Sequence, residues 1–335
     1  MKRLMHLLML SVLVASVSVT GSVFAQGNNS GDSGGSGFRL SPTRDQLTVQ
    51  RGATITALVK VRNVSATSQP ARAVVDDFSA DEEESGNPKL LLGNLAVDNY
   101  KYSIKPFVLA IDDIVLEPGE EREVLVTFSI PENTAPGSYY GLLRFVAIED
   151  AGSDTDTAVS LTASVGTIFL IDVPGETIDL LNVAGISVVK DGSSSSIFSS
   201  APDLIATRIR NEGNTFQAPF GKVLVKNWSG DVVQEFEFNK AVPAGNVLPD
   251  SIRRFEDGLE NIGSFGRYTI EANLSYGDSG GNIITATTTF WVVPWTMLGT
   301  VAIGIILVVF AGTRGLKAYN KRVIEQSKGT KVKKK

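Results

Sequence analysis

Tyr268-Thr269-Ile270-Glu271-Ala272-Asn273-Leu274-Ser275-Tyr276 alternates apolar and polar side chains without a break. Successive side chains of an extended chain point to opposite sides, so this period of two predicts a strand with one face on a core and the other in water. The same pattern recurs upstream. Ile55, Ala57, Val59 and Val61 share one face against Thr54, Thr56, Leu58 and Lys60, and Val124, Val126, Phe128 and Ile130 share another. Further strands are expected at residues 71–78, 107–116, 139–148 and 158–173, separated by turns such as Pro118-Gly119 and Pro136-Gly137. That makes a sandwich of about seven strands, with Val173-Pro174-Gly175-Glu176 as its end. A second set follows at residues 177–189, 203–210, 221–228, 232–238, 251–255, 267–276 and 284–293, with a Ser-rich loop at residues 191–202.

The two sets share landmarks. Val61-Arg62-Asn63 ends an early strand in the first half and Ile209-Arg210-Asn211 does so in the second. Gly137-Ser138-Tyr139 parallels Gly266-Arg267-Tyr268 late in each half. An internal duplication of one sandwich predicts both correspondences. The first copy carries an acidic insertion at residues 81–105, opening Asp81-Glu82-Glu83-Glu84. The fold class expected is all-β: two tandem immunoglobulin-like β-sandwiches, residues 38–174 and 175–293, plus one C-terminal transmembrane α-helix.

That helix is read from residues 291–313, which carry no charge. About 20 apolar residues cover the hydrocarbon thickness of a bilayer, so residues 294–313 are expected to span it; a buried core helix is the alternative reading. Arg314, Lys317, Lys321 and Arg322 follow at once, and the tail 314–335 ends in three lysines. Basic residues stay on the cytoplasmic side, which places the C-terminus inside and the sandwiches outside, with membrane lipid as a partner of helix and tail. Residues 1–25 join Lys2 and Arg3 to an apolar run and then Val23-Phe24-Ala25, the pattern of a cleaved signal peptide; an uncleaved anchor is its rival. Residues 26–37 are Gly-, Ser- and Asn-rich and read as a flexible linker. The expected location is the cell membrane, single-pass.

Composition narrows the chemistry. The single histidine, His6, lies in the signal and there is no cysteine, so the exported region has no Ser-His-Asp or Cys-His site, no conventional zinc site and no disulfide. Setting aside Lys2, Arg3, Glu325 and the nine basic residues from Arg314 onward leaves 20 basic against 35 acidic residues, about −15. A surface of that sign repels phosphate polymers, so no nucleic-acid partner is expected. Carboxylates at Asp76-Asp77, Asp81 to Glu84 and Asp112-Asp113 are neighbours in sequence and do not by themselves flank a cleft. Asp150, Asp154 and Asp156 offer oxygens for calcium but lack the glycine and terminal glutamate of a calcium loop, and a solvated loop is expected. No catalytic, cofactor-binding or metal-binding residue is assigned, and an enzyme is not expected. Tyr139, Tyr140 and Trp228 are possible contact aromatics; lying in expected strands, they are assigned to the core.

Phe38-Arg39-Leu40-Ser41-Pro42, the turn Leu116-Glu117-Pro118-Gly119-Glu120, and Ile130-Pro131 ahead of Pro136-Gly137-Ser138-Tyr139 resemble the first domain of WxL-interacting proteins of Gram-positive surfaces. Similar Pro-Gly turns occur in periplasmic pilus chaperones and other exported immunoglobulin-like modules. The WxL resemblance implies a first domain assigned to peptidoglycan binding, a second assigned to host or partner contacts, and secreted WxL proteins as partners. The acidic insertion and residues 193–200 have no counterpart in that pattern, and no binding residue carries over. The expectation is a membrane-anchored binding or adhesion protein for cell-wall glycan or a secreted protein, held without dependence on salt. The alternative is a structural or accessory subunit of a membrane complex without a wall ligand.

Overall fold

The computed structural model describes residues 37–148, 166–277 and 280–330. In the first sandwich a three-stranded sheet, in the order Phe38–Ser41, Thr54–Asn63, Glu121–Ser129, faces a five-stranded one. The second sheet runs Arg44–Thr48, Gly166–Val173, Gly137–Ala147, Gln69–Asp76, Ile114–Leu116. Alternation decides what lies between them. Ala57, Val59, Val61, Val124, Val126 and Phe128 point inward and are buried, against Phe145, Phe169 and Ile171 from the other sheet. Each of these valine, isoleucine and phenylalanine side chains contributes about 1.5–3 kcal/mol by leaving water, and Ala57 less.

The second sandwich repeats the plan. Ser193–Ser195, Leu181–Lys190, Leu204–Asn211 and Ser251–Gly258 form one sheet. Ile197–Phe198, Asn282–Val292, Gly266–Tyr276, Phe220–Lys226 and Val232–Phe238 form the other. Tyr268, Ile270, Ala272, Leu274 and Tyr276 are all buried in this core. In each half a short strand pairs in parallel with the last long strand: Arg44–Thr48 with Gly166–Val173, and Ile197–Phe198 with Asn282–Val292.

The shared landmarks have one geometry. Asn63 is buried and donates from Nδ2 to the carbonyls of Thr67 (2.8 Å) and Leu116 (2.9 Å), while its Oδ1 accepts from the Ser65 amide (2.9 Å). Asn211 is buried likewise and donates to the carbonyls of Thr215 (2.7 Å) and Val247 (2.9 Å), and its Oδ1 accepts from the Gly213 amide (2.9 Å). Gly137 and Gly266 both take φ of 140°, open to glycine and strained for other residues. Two residues on, the Tyr139 hydroxyl donates to the Ala135 carbonyl and the Tyr268 hydroxyl accepts from the Gly263 amide. Each phenol thus ties its strand to the backbone just upstream, as the tyrosine corner of immunoglobulin-like folds does.

Four local expectations are corrected. Of residues 107–116 only Ile114–Leu116 is strand, because Pro106 removes a ladder donor and Lys105–Phe107 closes a single 3-10 turn that buries Phe107. The Ser-rich loop contains the strands Ser193–Ser195 and Ile197–Phe198, since backbone pairing needs no apolar side chain. The strand expected at 221–228 is Phe220–Lys226, and Trp228 lies beyond it in a turn, 80% exposed rather than in the core. The helix runs over Trp295–Thr330 instead of ending at 313, continued by good helix formers such as Leu316, Lys317 and Lys321. Within it Trp295–Lys321, 27 residues, is long and apolar enough to cross a membrane, and none of its most apolar stretch is buried against the protein. The signal segment, nearly all of the linker, and Asp150, Asp154 and Asp156 lie outside the described residues.

Candidate functional site: the cleft between the sandwiches

Alternation gives the Gly137–Ala147 strand a second apolar face. Leu143 and Phe145 enter the first core, whereas Tyr140 and Leu142 point away from it, as do Ile168 and Leu170 on the neighbouring strand. This outer face is covered from two sides. Tyr100, Tyr102 and Leu90 come from the insertion, and Phe216 and Leu248 from the second sandwich. Tyr102 stacks on Tyr140 with ring centroids 5.5 Å apart, and the hydroxyls of Tyr100 and Tyr140 lie 2.9 Å apart. Burial pushes the ionisation of all three phenols upward, most strongly at Tyr140.

Polar bonds close the joint around this aromatic patch. The Glu84 carboxylate takes both arms of the Arg208 guanidinium, and the Glu84 carbonyl accepts from the Arg254 amide at 2.7 Å. Asp250 accepts from the Tyr102 hydroxyl and from Lys101 (3.2 Å). Both carboxyls are held below their ordinary values, chiefly by the Arg208 bond at Glu84 and by the Tyr102 bond at Asp250. At the other side Ser138 Oγ accepts from the Phe216 amide (2.8 Å), and Asn214 Nδ2 donates to the Pro136 carbonyl (3.1 Å). The acidic insertion is therefore a strap between sandwiches, and its contacts are too far apart in sequence for local pattern to have revealed them. Tyr139 does pack on the first core, and Tyr140 is buried as expected but in this joint instead of a sandwich interior.

The strap leaves a cleft floored by Phe78, Pro88, Ile168, Leu170 and Leu248. Arg44, Asn246 and Arg253 supply its polar side. Arg44 donates to the Ala244 carbonyl (2.9 Å), and Arg253 donates to the Asn246 carbonyl (2.9 Å) with its guanidinium 5.2 Å from the Phe255 ring. Neither arginine has an ion pair among the described residues. Burial lowers the pKa of both, and at Arg253 the nearby Arg44 lowers it further against the pull of Asp81. Arg253 Nε and Asn246 Nδ2 are buried with no hydrogen-bond partner. Buried donors are nearly always paired, and an unmade bond costs about 1–3 kcal/mol, so two orphans beside a second arginine mark a place that suits an oxygen acceptor. No sequence motif pointed to these three residues, which come from separate elements. Asp76, Asp77 and Asp113 are engaged instead by Arg144, Lys105 and Arg72. Among the described residues no three metal-ligating side chains cluster.

No family model and no curated protein matches this chain. Among solved structures it is similar to the class 5 fimbriae chaperone CfaA, at 14% identity over 75% of this chain and 98% of that one, with a TM-score of 0.38. The YadV chaperone is similar at 9% identity over 76% and 100% of the two chains, TM-score 0.33. The PapD-like domain 7 of human CEP192 covers 42% of this chain and 87% of its own, at 13% identity and a TM-score of 0.26. The architecture is mostly β, two tandem immunoglobulin-like sandwiches followed by one long apolar helix.

Proposed function

We propose that this is a single-pass, membrane-anchored surface protein that binds, without catalysis, a wall glycan or a secreted protein through the cleft between its sandwiches. The observation that carries the reading is the pair of orphaned buried donors, Arg253 Nε and Asn246 Nδ2, on residues that line the cleft with Arg44 over an apolar floor. A carboxylate or carbonyl carried on an apolar group supplies what both sides of the cleft lack. Wall peptides and protein segments carry such groups, in keeping with the resemblance to WxL-interacting proteins. Long-range repulsion from a surface of about −15 does not prevent this, because the donors act at contact distance. With only two cations in the cleft, the salt dependence should be shallow compared with a polyanion-binding groove.

The test is retention of the full chain, in detergent, on purified wall material and on candidate secreted proteins. Arg44→Met and Asn246→Leu should each weaken binding about 10- to 100-fold, the worth of one hydrogen bond to a charged or buried group. Binding that is unchanged in both variants removes the cleft from the proposal.

A further inference from the structure

All three tryptophans of the protein, Trp228, Trp291 and Trp295, fall at one end of the second sandwich. Strand register shows why. The long strand Asn282–Val292 ends where Gly266 pairs with Val292, and Arg267 pairs with Trp291 one step in. On the other side, Lys226 pairs with Thr269, so the turn after Lys226 closes at that same end and brings Trp228 beside Gly266. Phe265 precedes Gly266, and Ile197 pairs with Trp291 from the outer edge. The result is a rim of exposed apolar side chains: Trp228 is 80%, Phe265 63% and Ile197 52% exposed. Trp228, Phe265 and Trp291 line one open groove, with Arg267 beside them free of any ion pair among the described residues.

Only Val292, Val293 and Pro294 separate Trp291 in this rim from the apolar helix that begins at Trp295. Four residue steps span at most about 14 Å, so the rim cannot move far from the point where the helix enters the lipid. The headgroup layer on each side of the hydrocarbon is about 5–8 Å thick. Indole rings favour that layer, where the ring body is apolar and the N–H stays wet, and a cation beside them meets lipid phosphate. In water, Trp228, Phe265 and Ile197 would each stay more than half exposed at one end of the sandwich.

We infer that the rim made by Trp228, Phe265 and Trp291 seats in the headgroup layer of the bilayer, so the second sandwich lies against the membrane instead of standing free on its helix. This rests on the helix spanning the membrane. The experiment uses the full chain in phosphatidylcholine–phosphatidylglycerol vesicles, with a fraction of the lipid carrying a quencher near the headgroup. Trp291→Phe with Trp295→Phe leaves Trp228 as the reporter, and Trp228→Phe with Trp291→Phe leaves Trp295. The expected result is that lipid quencher extinguishes both reporters to a comparable degree and that aqueous iodide reaches Trp228 poorly. Quenching of Trp295 alone, with Trp228 open to iodide, overturns the inference and leaves the anchor intact. Quenching of neither overturns the membrane span and the inference together.

Discussion

Asn63→Ala removes one side chain from the end of the Thr54–Asn63 strand and leaves its neighbours in place. The Leu116 carbonyl, buried, loses its Asn63 donor, and the Ser65 amide loses its acceptor. The Thr67 carbonyl retains the Ser65 hydroxyl at 2.9 Å. The Leu116 carbonyl keeps its strand partner Gln69, so the change removes three hydrogen bonds to the backbone at about 0.5–1.5 kcal/mol each, a loss of about 2–4 kcal/mol. Asn211→Ala orphans the Thr215 carbonyl and the Gly213 amide, while the Val247 carbonyl keeps the Gln217 amide, so the same loss is expected in the second sandwich. Asn63→Asp should cost as much at neutral pH, since a carboxylate keeps the acceptor but faces two carbonyls with no donor. The assay is thermal and urea unfolding of the full chain in detergent, followed by near-ultraviolet dichroism and by tryptophan emission, which reports only the second sandwich and the helix junction. Melting should fall by about 5–15 °C in each alanine variant. A loss under about 1 kcal/mol in Asn63→Ala would refute the view that this side chain closes the strand end.

Three further outcomes follow from the joint, the cleft and the helix. Glu84 and Asp250 have folded pKa values below the unfolded ones, so their contribution is present above about pH 4.5 and is lost as pH falls through the depressed values; the phenols Tyr100, Tyr102 and Tyr140 are raised, and theirs is lost as pH rises above about 10. Proteolysis between the sandwiches should therefore be slowest between those limits, and Glu84→Gln should remove most of the acid dependence that comes from the strap. Asn246→Leu discards a buried orphan donor and should leave stability unchanged or raise it by up to about 1 kcal/mol, read by urea unfolding, while weakening ligand retention. Protease added to intact cells should digest the sandwiches and spare a tag placed after Lys335; loss of the tag would reverse the expected topology.

The strands were legible because each half-buried strand writes its own period into the chain. Ile55 to Val61 and Tyr268 to Tyr276 needed no information from elsewhere. The duplication was legible for a similar reason, since Asn63 and Asn211 each close the turn that follows them within four residues. The joint was not. Glu84 meets Arg208, and Tyr102 meets Asp250, across well over a hundred residues of chain. A run of four acids reads as a solvated loop until those partners are known. Tyr140 was assignable as buried, yet its alternation relative to Leu143 and Phe145 already placed it on the opposite face, a clue that the pattern contained. The cleft donors Arg44, Asn246 and Arg253 belong to no local pattern at all.

The strap has a mechanical consequence. Two sandwiches joined by the short segment between Val173 and Leu181 alone would swing, and a pull on the first would straighten that segment before it reached the second. With Glu84, Tyr102 and Lys101 bonded across the gap and Tyr140 packed beneath them, a load is shared by several contacts in parallel, and they must yield together. Torque on the first sandwich is then passed to the second through all of those contacts at once. A tether that gripped a ligand in the cleft would feel tension across the very contacts that shape its floor.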